Sequence, residues 1–244
     1  MIVDISGFIP DKLSVLQILL AYNDPAPIFR LGAKGFQRYM GLEAEPLPLF
    51  QKLGIKDFIS HCMNRFEKYG DKKSVPQFIE ELEQAGIMHQ CIHILPLTKR
   101  MRNIIGSSLD LNEHYSPIAK EYPDRLSFFA GIDPNQKNAP KLLERALNRL
   151  GMKGLWVVGF NSGLHVDDPK YYPLYKILNE FNAPALVRSM ANFEPTVPIE
   201  HEHPRYIDSL AMRFPDLKII VHHSGWPWVP ETIAVAARHR NVYI

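Results

Sequence analysis

Through its middle and end, the sequence switches repeatedly between two hydrophobic periods, and this restricts the fold more than any other feature. Short apolar, β-rich runs occur at Ile87–Leu95, Leu126–Ile132, Gly154–Val158, Ala185–Ser189 and Leu217–His223, with a first run at Ile2–Ile5 and a last at Asn241–Ile244. The stretches between them carry apolar residues three and four apart, the period of an amphipathic helix. Ser74 with Gln77 reads as a capping box, Phe78, Leu82 and Ala85 share a face, and Gly86 stops that helix. Leu142, Leu143, Ala146, Leu147 and Leu150 form a second stripe, closed by Gly151. Pro173 opens a third helix through Leu174, Ile177, Leu178 and Phe181. Ile207, Leu210 and Phe214 line a fourth that Pro215 ends, and Ile233, Ala236 and Ala237 mark a last one.

Strands alternating with helices imply a parallel sheet with right-handed crossovers. The runs are nearly continuously apolar, as strands covered on both faces are. About seven strands are legible, whereas a closed barrel of this kind has eight. The last run ends inside what reads as a strand. Either a further strand belongs beyond Ile244, or the sheet is open or completed in another way.

Residues 6–73 are less regular. Asp11–Tyr22 reads as a helix with Leu13, Leu16 and Leu20 on one side. Asn23–Gly70 is rich in Pro, Gly and aromatics and long for a connection, which suits a binding or assembly segment. Its Phe29, Phe36, Tyr39 and Phe50 could form an assembly surface, in a homo-oligomer or with an active homologue. No linker splits the 244 residues, so one domain is expected over 1–244.

Composition removes several classes. With 46% apolar and 22% charged residues the chain is a globular protein, not a disordered one. The net charge is +2 with no charge block, so neither a nucleic-acid nor another phosphate-binding surface has support. Cys62 and Cys91 cannot make a disulfide framework or a zinc knuckle. The first residues lack a basic region, and no uncharged apolar stretch of about 18 residues occurs. The expectation is a cytoplasmic protein that spans no membrane. No Gly-rich loop follows a strand, and no Gly-x-Ser-x-Gly elbow is present.

Three stretches, in this order and spacing, resemble a known family. They are Gly151–Leu155 followed by Asp167–Tyr175, then Arg205–Ile219, then His223-Ser-Gly-Trp-Pro-Trp228 with Arg240–Tyr243. Together they resemble the amidohydrolase-related family of metal-dependent hydrolases and aromatic-acid decarboxylases. The likeness covers residues 74–244 well and 1–73 poorly. It implies a distorted (β/α)8 TIM-barrel-like fold, here with strand 8 missing, and a site at the C-terminal strand ends. It also implies a divalent metal, often zinc, which lowers the pKa of bound water from 15.7 to about 7. The ligands would be a His-x-His pair on strand 1, histidines on strands 4 to 6, and an Asp on strand 8.

This sequence departs from that ligand set. Ser6 and Phe8 stand at the strand-1 histidine positions, preceded by Asp4; Val158 stands on strand 4 and Arg188 on strand 5. Only His223 on strand 6 matches. No metal ligand is therefore assigned, and zinc rests on the resemblance alone.

The site candidates follow. His223 would move a proton, with alternation turning His222 outward under the helices. Asp4 would orient His223 or pair with Arg188. Alternation with Leu186 turns Arg188 inward, where a guanidinium needs an anion: a substrate carboxylate, or an internal partner such as Asp4. Ser6 is a candidate substrate contact. Trp226 and Trp228 would wall a planar ligand or pack the loop onto the barrel. Asn161–His165 lies on the same rim. His201-Glu-His203 reads as a solvated loop that could contribute to a lid or to an unorthodox metal site. His61, His89, His93, His114 and His239 match nothing and read as structural. The expected activity is hydrolysis or decarboxylation of a small cyclic or aromatic carboxylate, without the usual metal. The rival reading is an inactive homologue that binds a ligand or a protein.

Overall fold

The computed structural model describes residues 2–21, 55–70, 73–105, 109–192 and 194–244. Phe29, Phe36, Tyr39 and Phe50 lie outside these, as does most of the Asn23–Gly70 segment. Contacts divide the chain into two compact units. One comprises Met1–Gly7, Ile87–Asn192 and Val197–Ile244; the other comprises Phe8–Gly86 and Phe193–Thr196.

The larger unit is built on seven strands: β1 (Ile2–Gly7), β2 (Ile87–His93), β3 (Leu126–Gly131), β4 (Gly154–Val157), β5 (Ala185–Arg188), β6 (Ile219–His222) and β7 (Val242–Tyr243). They pair in chain order and every pair is parallel. Among the described residues this is the (β/α)8 barrel arrangement less its eighth strand: the parallel order is what the alternation predicts, and the barrel is what the resemblance implies.

Register decides which residues face the barrel interior. Trp156 pairs with Leu186, Arg188 with His222, and His93 with Phe129, so these residues share one face of the sheet. The other face carries Ile92, Phe128, Leu155, Ala185, Val187, Ile219 and Val221, all buried. Helices cover that face: α6 (Ala139–Arg149), α8 (Tyr172–Glu180), α9 (Arg205–Arg213) and α10 (Val229–Arg238) among them. Their buried positions, Leu143, Ala146, Leu174, Leu178, Ile207 and Leu210, are the apolar stripes read in the sequence. Each such Leu or Ile contributes roughly 1.5–3 kcal/mol by leaving water.

Two helices of this unit escape the periodicity argument: α4 (Lys99–Ile105) and α5 (Leu111–Glu121). For α5 a signal exists. Asp110 is its N-cap, and its side chain accepts from the Asn112 and Glu113 amides. A four-residue helix, α7 (Gly159–Ser162), follows β4.

The smaller unit holds α1 (Lys12–Ala21), α2 (Ile55–Tyr69) and α3 (Val75–Gln84). The capping box at Ser74 and Gln77 is formed, and Gly86 follows α3 at φ +73°, a conformation that costs a glycine little. Residues 55–69 form a helix where irregular chain is expected. Phe58, Ile59, Cys62 and Phe66 recur at helical spacing, and all four are buried. α1 packs against α2, with Lys12 and Glu67 3.6 Å apart. Cys62 and Cys91 are free thiols, and burial pushes Cys62 up to about 12.

Candidate functional site

In a flat sheet, side chains on β2 and β6 would lie roughly 19 Å apart, four strand spacings. Here the rings of His93 and His222 are 5.0 Å apart. The sheet therefore curls, and its inner face converges at the C-terminal strand ends. The Trp156 ring packs on the His93 side of this pair, 4.3 Å from His93 and 6.3 Å edge-on from His222. All three residues are at least nine-tenths buried.

Arg188 ends β5 in register with His222 and is 4% exposed. Alternation with Leu186 turns it inward, as expected. A guanidinium at that depth requires an anion. It pairs with Glu202, whose side chain is fully buried. The Phe160 ring lies 4.8 Å below the guanidinium carbon. Glu202 is held from several sides. Its Oε1 accepts from the Phe160 amide at the start of α7 (3.4 Å), and its carbonyl accepts from Ser189 Oγ (2.9 Å).

Electrostatics follow from this packing. Burial, then the neighbouring charges of His223 and Arg188, push the His93 imidazole down to about 3. Burial, His223, His93 and Arg188 push His222 down to about 2. Both rings are neutral at pH 7. A neutral imidazole offers one N–H and one lone pair, and an anion bound beside it raises its proton affinity. His223 is lowered to about 4 by desolvation at the crowded strand end and by Arg188, although the residue as a whole is exposed.

Several expectations need correction. His222, not His223, is the inward residue. β6 stops at His222, and His223, Ser224 and Gly225 all take left-handed φ (+66°, +52°, +72°), which rotates His223 to the rim. His223 still stacks 3.7 Å from His222. Asp4 accepts from Gln90 Nε2 at 2.8 Å. Gln90 and His93, three apart on β2, sit on opposite faces, so this bond holds Asp4 away from the ring cluster. Ser6 lies in β1, with its side chain outside the described residues. Trp226 is exposed, and Trp228 packs on His203 at 4.7 Å. The ring against Arg188 is Phe160 instead, and Trp156 lies on the same sheet face.

His201 and His203 are not a solvated pair. His201 stacks on His165 (4.4 Å), which stacks on Tyr206 (3.9 Å). His201 Nε2 lies 3.2 Å from the Leu164 carbonyl oxygen, so that nitrogen carries the proton and has no lone pair to give a metal.

Four of the site's members were not singled out from sequence: His93, Trp156, Phe160 and Glu202. A signal existed for Trp156. It shares strand parity with Val158, which the resemblance turns inward.

The sequence model of the amidohydrolase family matches residues 101–244, more than half the chain. The chain belongs to the amidohydrolase family. No curated protein matches it. The chain is similar in fold to an uncharacterized TIM-barrel protein of Bordetella bronchiseptica (TM-score 0.63, 24% identity, 99% of this chain and 73% of the other). It also resembles 5-carboxyvanillate decarboxylase LigW of Sphingomonas paucimobilis (TM-score 0.54, 13% identity, 92% and 68%). A third likeness is the Novosphingobium aromaticivorans 5-carboxyvanillate decarboxylase, complexed with manganese and 4-hydroxy-3-methoxy-5-nitrobenzoic acid (TM-score 0.53, 15% identity, 98% and 68%). At these identities the likeness is one of fold.

The manganese in that relative poses a test for this chain. Among the described residues, no three His, Cys, Asp or Glu side chains come together to hold a metal. The cluster offers two close imidazoles, but its carboxylate is paired to Arg188. The guanidinium also repels any cation placed beside it. The described donors do not fit a divalent metal of the family type. No helix among the described residues is long and apolar enough to cross a membrane.

Proposed function

We propose that this amidohydrolase-family chain acts on a small planar carboxylate at the inner strand ends. One observation carries the reading: a buried guanidinium lies over the Phe160 ring, on the sheet face that carries the contacting rings of His93, Trp156 and His222. Arg188 supplies a fixed positive charge and a planar donor fork matched to a carboxylate. It carries five N–H donors, more than one carboxylate accepts, so a substrate can share it with Glu202. The rings give a flat ligand two apolar faces. The relatives named for 5-carboxyvanillate decarboxylation support an aromatic acid as the substrate class.

Two reactions suit the groups present. In decarboxylation the C–C bond breaks, carbon dioxide leaves, and the ring carbon keeps the electron pair and takes a proton. The substrate anion raises the proton affinity of His222 and His93, which lets an imidazole load that proton and deliver it. In hydrolysis the same imidazole would take a proton from water, and a labile ester or lactone suits so weak a base better than an amide. The donor set routes no step through zinc or another metal.

The test is turnover. Purified protein is incubated with hydroxybenzoates, carboxyvanillate-type acids and cyclic lactone acids, and carbon dioxide and hydrolysis products are followed. Turnover by the wild type that falls at least a hundredfold in Arg188→Ala supports the reading. Turnover unchanged by that substitution overturns it.

A second reading, a chain that binds a carboxylate or a partner without turnover, is favoured by Arg188 standing where the resemblance expects a metal-ligating histidine. Saturable carboxylate binding without product from any substrate supports it. A monomer in sedimentation that turns over substrate refutes it.

A further inference from the structure

The indole nitrogen of Trp156 is a buried donor with no hydrogen-bond partner among the described residues. Trp156 is 7% exposed, and an indole N–H can only donate. Leaving such a donor unpaired costs free energy that a bound acceptor recovers. The remainder of the ring is well placed: it contacts His93 and lies edge-on to His222, on the sheet face that carries Arg188. The packing therefore explains the ring but not the N–H.

We propose that Trp156 is a specificity-determining residue whose Nε1–H donates to an acceptor oxygen on the ligand's ring, separate from the carboxylate held by Arg188. This rests on the reading of the cluster as a carboxylate site and adds to it the class of acid. The occupant is a planar carboxylate bearing a ring oxygen, such as an ether, phenolate or carbonyl oxygen. A plain benzoate would satisfy the cation and the rings yet leave the indole donor unmet. A ligand presenting an ammonium or amide N–H at that point would set donor against donor and be rejected. In the ligand-free protein a water molecule can meet the group and is displaced on binding.

The probes are benzoate and its three methoxy isomers, because a methoxy oxygen accepts and cannot donate. Their affinities are measured by calorimetry on the wild type and on Trp156→Phe, which keeps an aromatic ring and removes the N–H. One methoxy isomer should bind the wild type roughly tenfold tighter than benzoate, the affinity equivalent of one buried hydrogen bond. In Trp156→Phe that preference should fall to about one, whatever the smaller ring does to the affinity for benzoate itself. The ratio of affinities would not move if Trp156 served only to pack the core. If Trp156→Phe fails to fold, indole 15N–1H spectra of the wild type replace it. The Trp156 N–H resonance should then shift downfield with the preferred isomer and not with benzoate. A preference kept in Trp156→Phe, an unmoved resonance, or no methoxy isomer favoured over benzoate overturns the proposal and leaves the carboxylate reading standing. No binding of any of the four acids overturns both.

Discussion

Two buried neutral histidines make stability depend on pH in a calculable way. In the unfolded chain His93 and His222 titrate near 6.5; in the folded protein they are held to about 3 and about 2. Above pH 6.5 both rings are neutral in both states, and they add no pH dependence. As pH falls below 6.5, the unfolded chain binds two protons that the folded chain refuses. Stability is therefore present in full above 6.5 and is lost on acidification through the window from 6.5 towards 3. Each ring contributes a slope of about 1.4 kcal/mol per pH unit. Between pH 8 and pH 5 each should cost about 2 kcal/mol and the pair about 4 kcal/mol, a large share of the 5–15 kcal/mol typical of a folded protein. His223 titrates too, but the residue is exposed and solvent screens its contribution. The assay is urea unfolding followed by circular dichroism at pH 8, 7, 6 and 5, with a common m-value. His222→Asn and His93→Asn should each halve the loss between pH 8 and 5, and the double substitution should nearly abolish it. Equal losses in the wild type and in both single variants would refute the argument.

Other perturbations test separate parts of the account. Arg188→Met strands the buried Glu202 carboxylate and should cost about 3–5 kcal/mol, lowering Tm by roughly 6–20 °C; Arg188→Met with Glu202→Leu should recover most of this in the same melting experiment. Gly225 has φ +72°, and a Cβ there would meet the Thr232 hydroxyl, so Gly225→Ala should cost about 2–4 kcal/mol in urea unfolding, against no loss if the turn is lax. Protein incubated with zinc or manganese and then desalted should carry far less than one metal per chain by elemental analysis. Stoichiometric metal would mean that ligands come from outside the described residues.

Much of the barrel was legible because local pattern and global fold agree. The β-rich runs became strands within a residue or two, and the apolar stripes became the covered helix faces. Ser74 with Gln77 and Pro173 opened helices where their chemistry requires it. The site was legible in part. Arg188 could be turned inward from its parity with Leu186, but its partner could not be named, because Glu202 arrives through a loop that no periodicity describes. His222 and His223 were exchanged because strand parity is fixed by pairing with β5, a long-range fact. The three left-handed residues after His222 then end the strand one position earlier than the motif suggests. His93 lies 129 residues before His222 in the chain, and only the curl of the sheet brings their rings together. α2 hid in a segment whose Pro and Gly content masked an amphipathic stretch from Ile55 onward.

The claim at the centre is that the Arg188 charge, set among rings at the strand ends, binds a planar carboxylate. Calorimetric titration of benzoate into the wild type and into Arg188→Gln with Glu202→Gln tests it most directly, because the paired amides remove the cation without stranding a buried charge. The account predicts saturable one-to-one binding to the wild type and affinity at least tenfold weaker in the double variant. Equal affinity in the two proteins would contradict it.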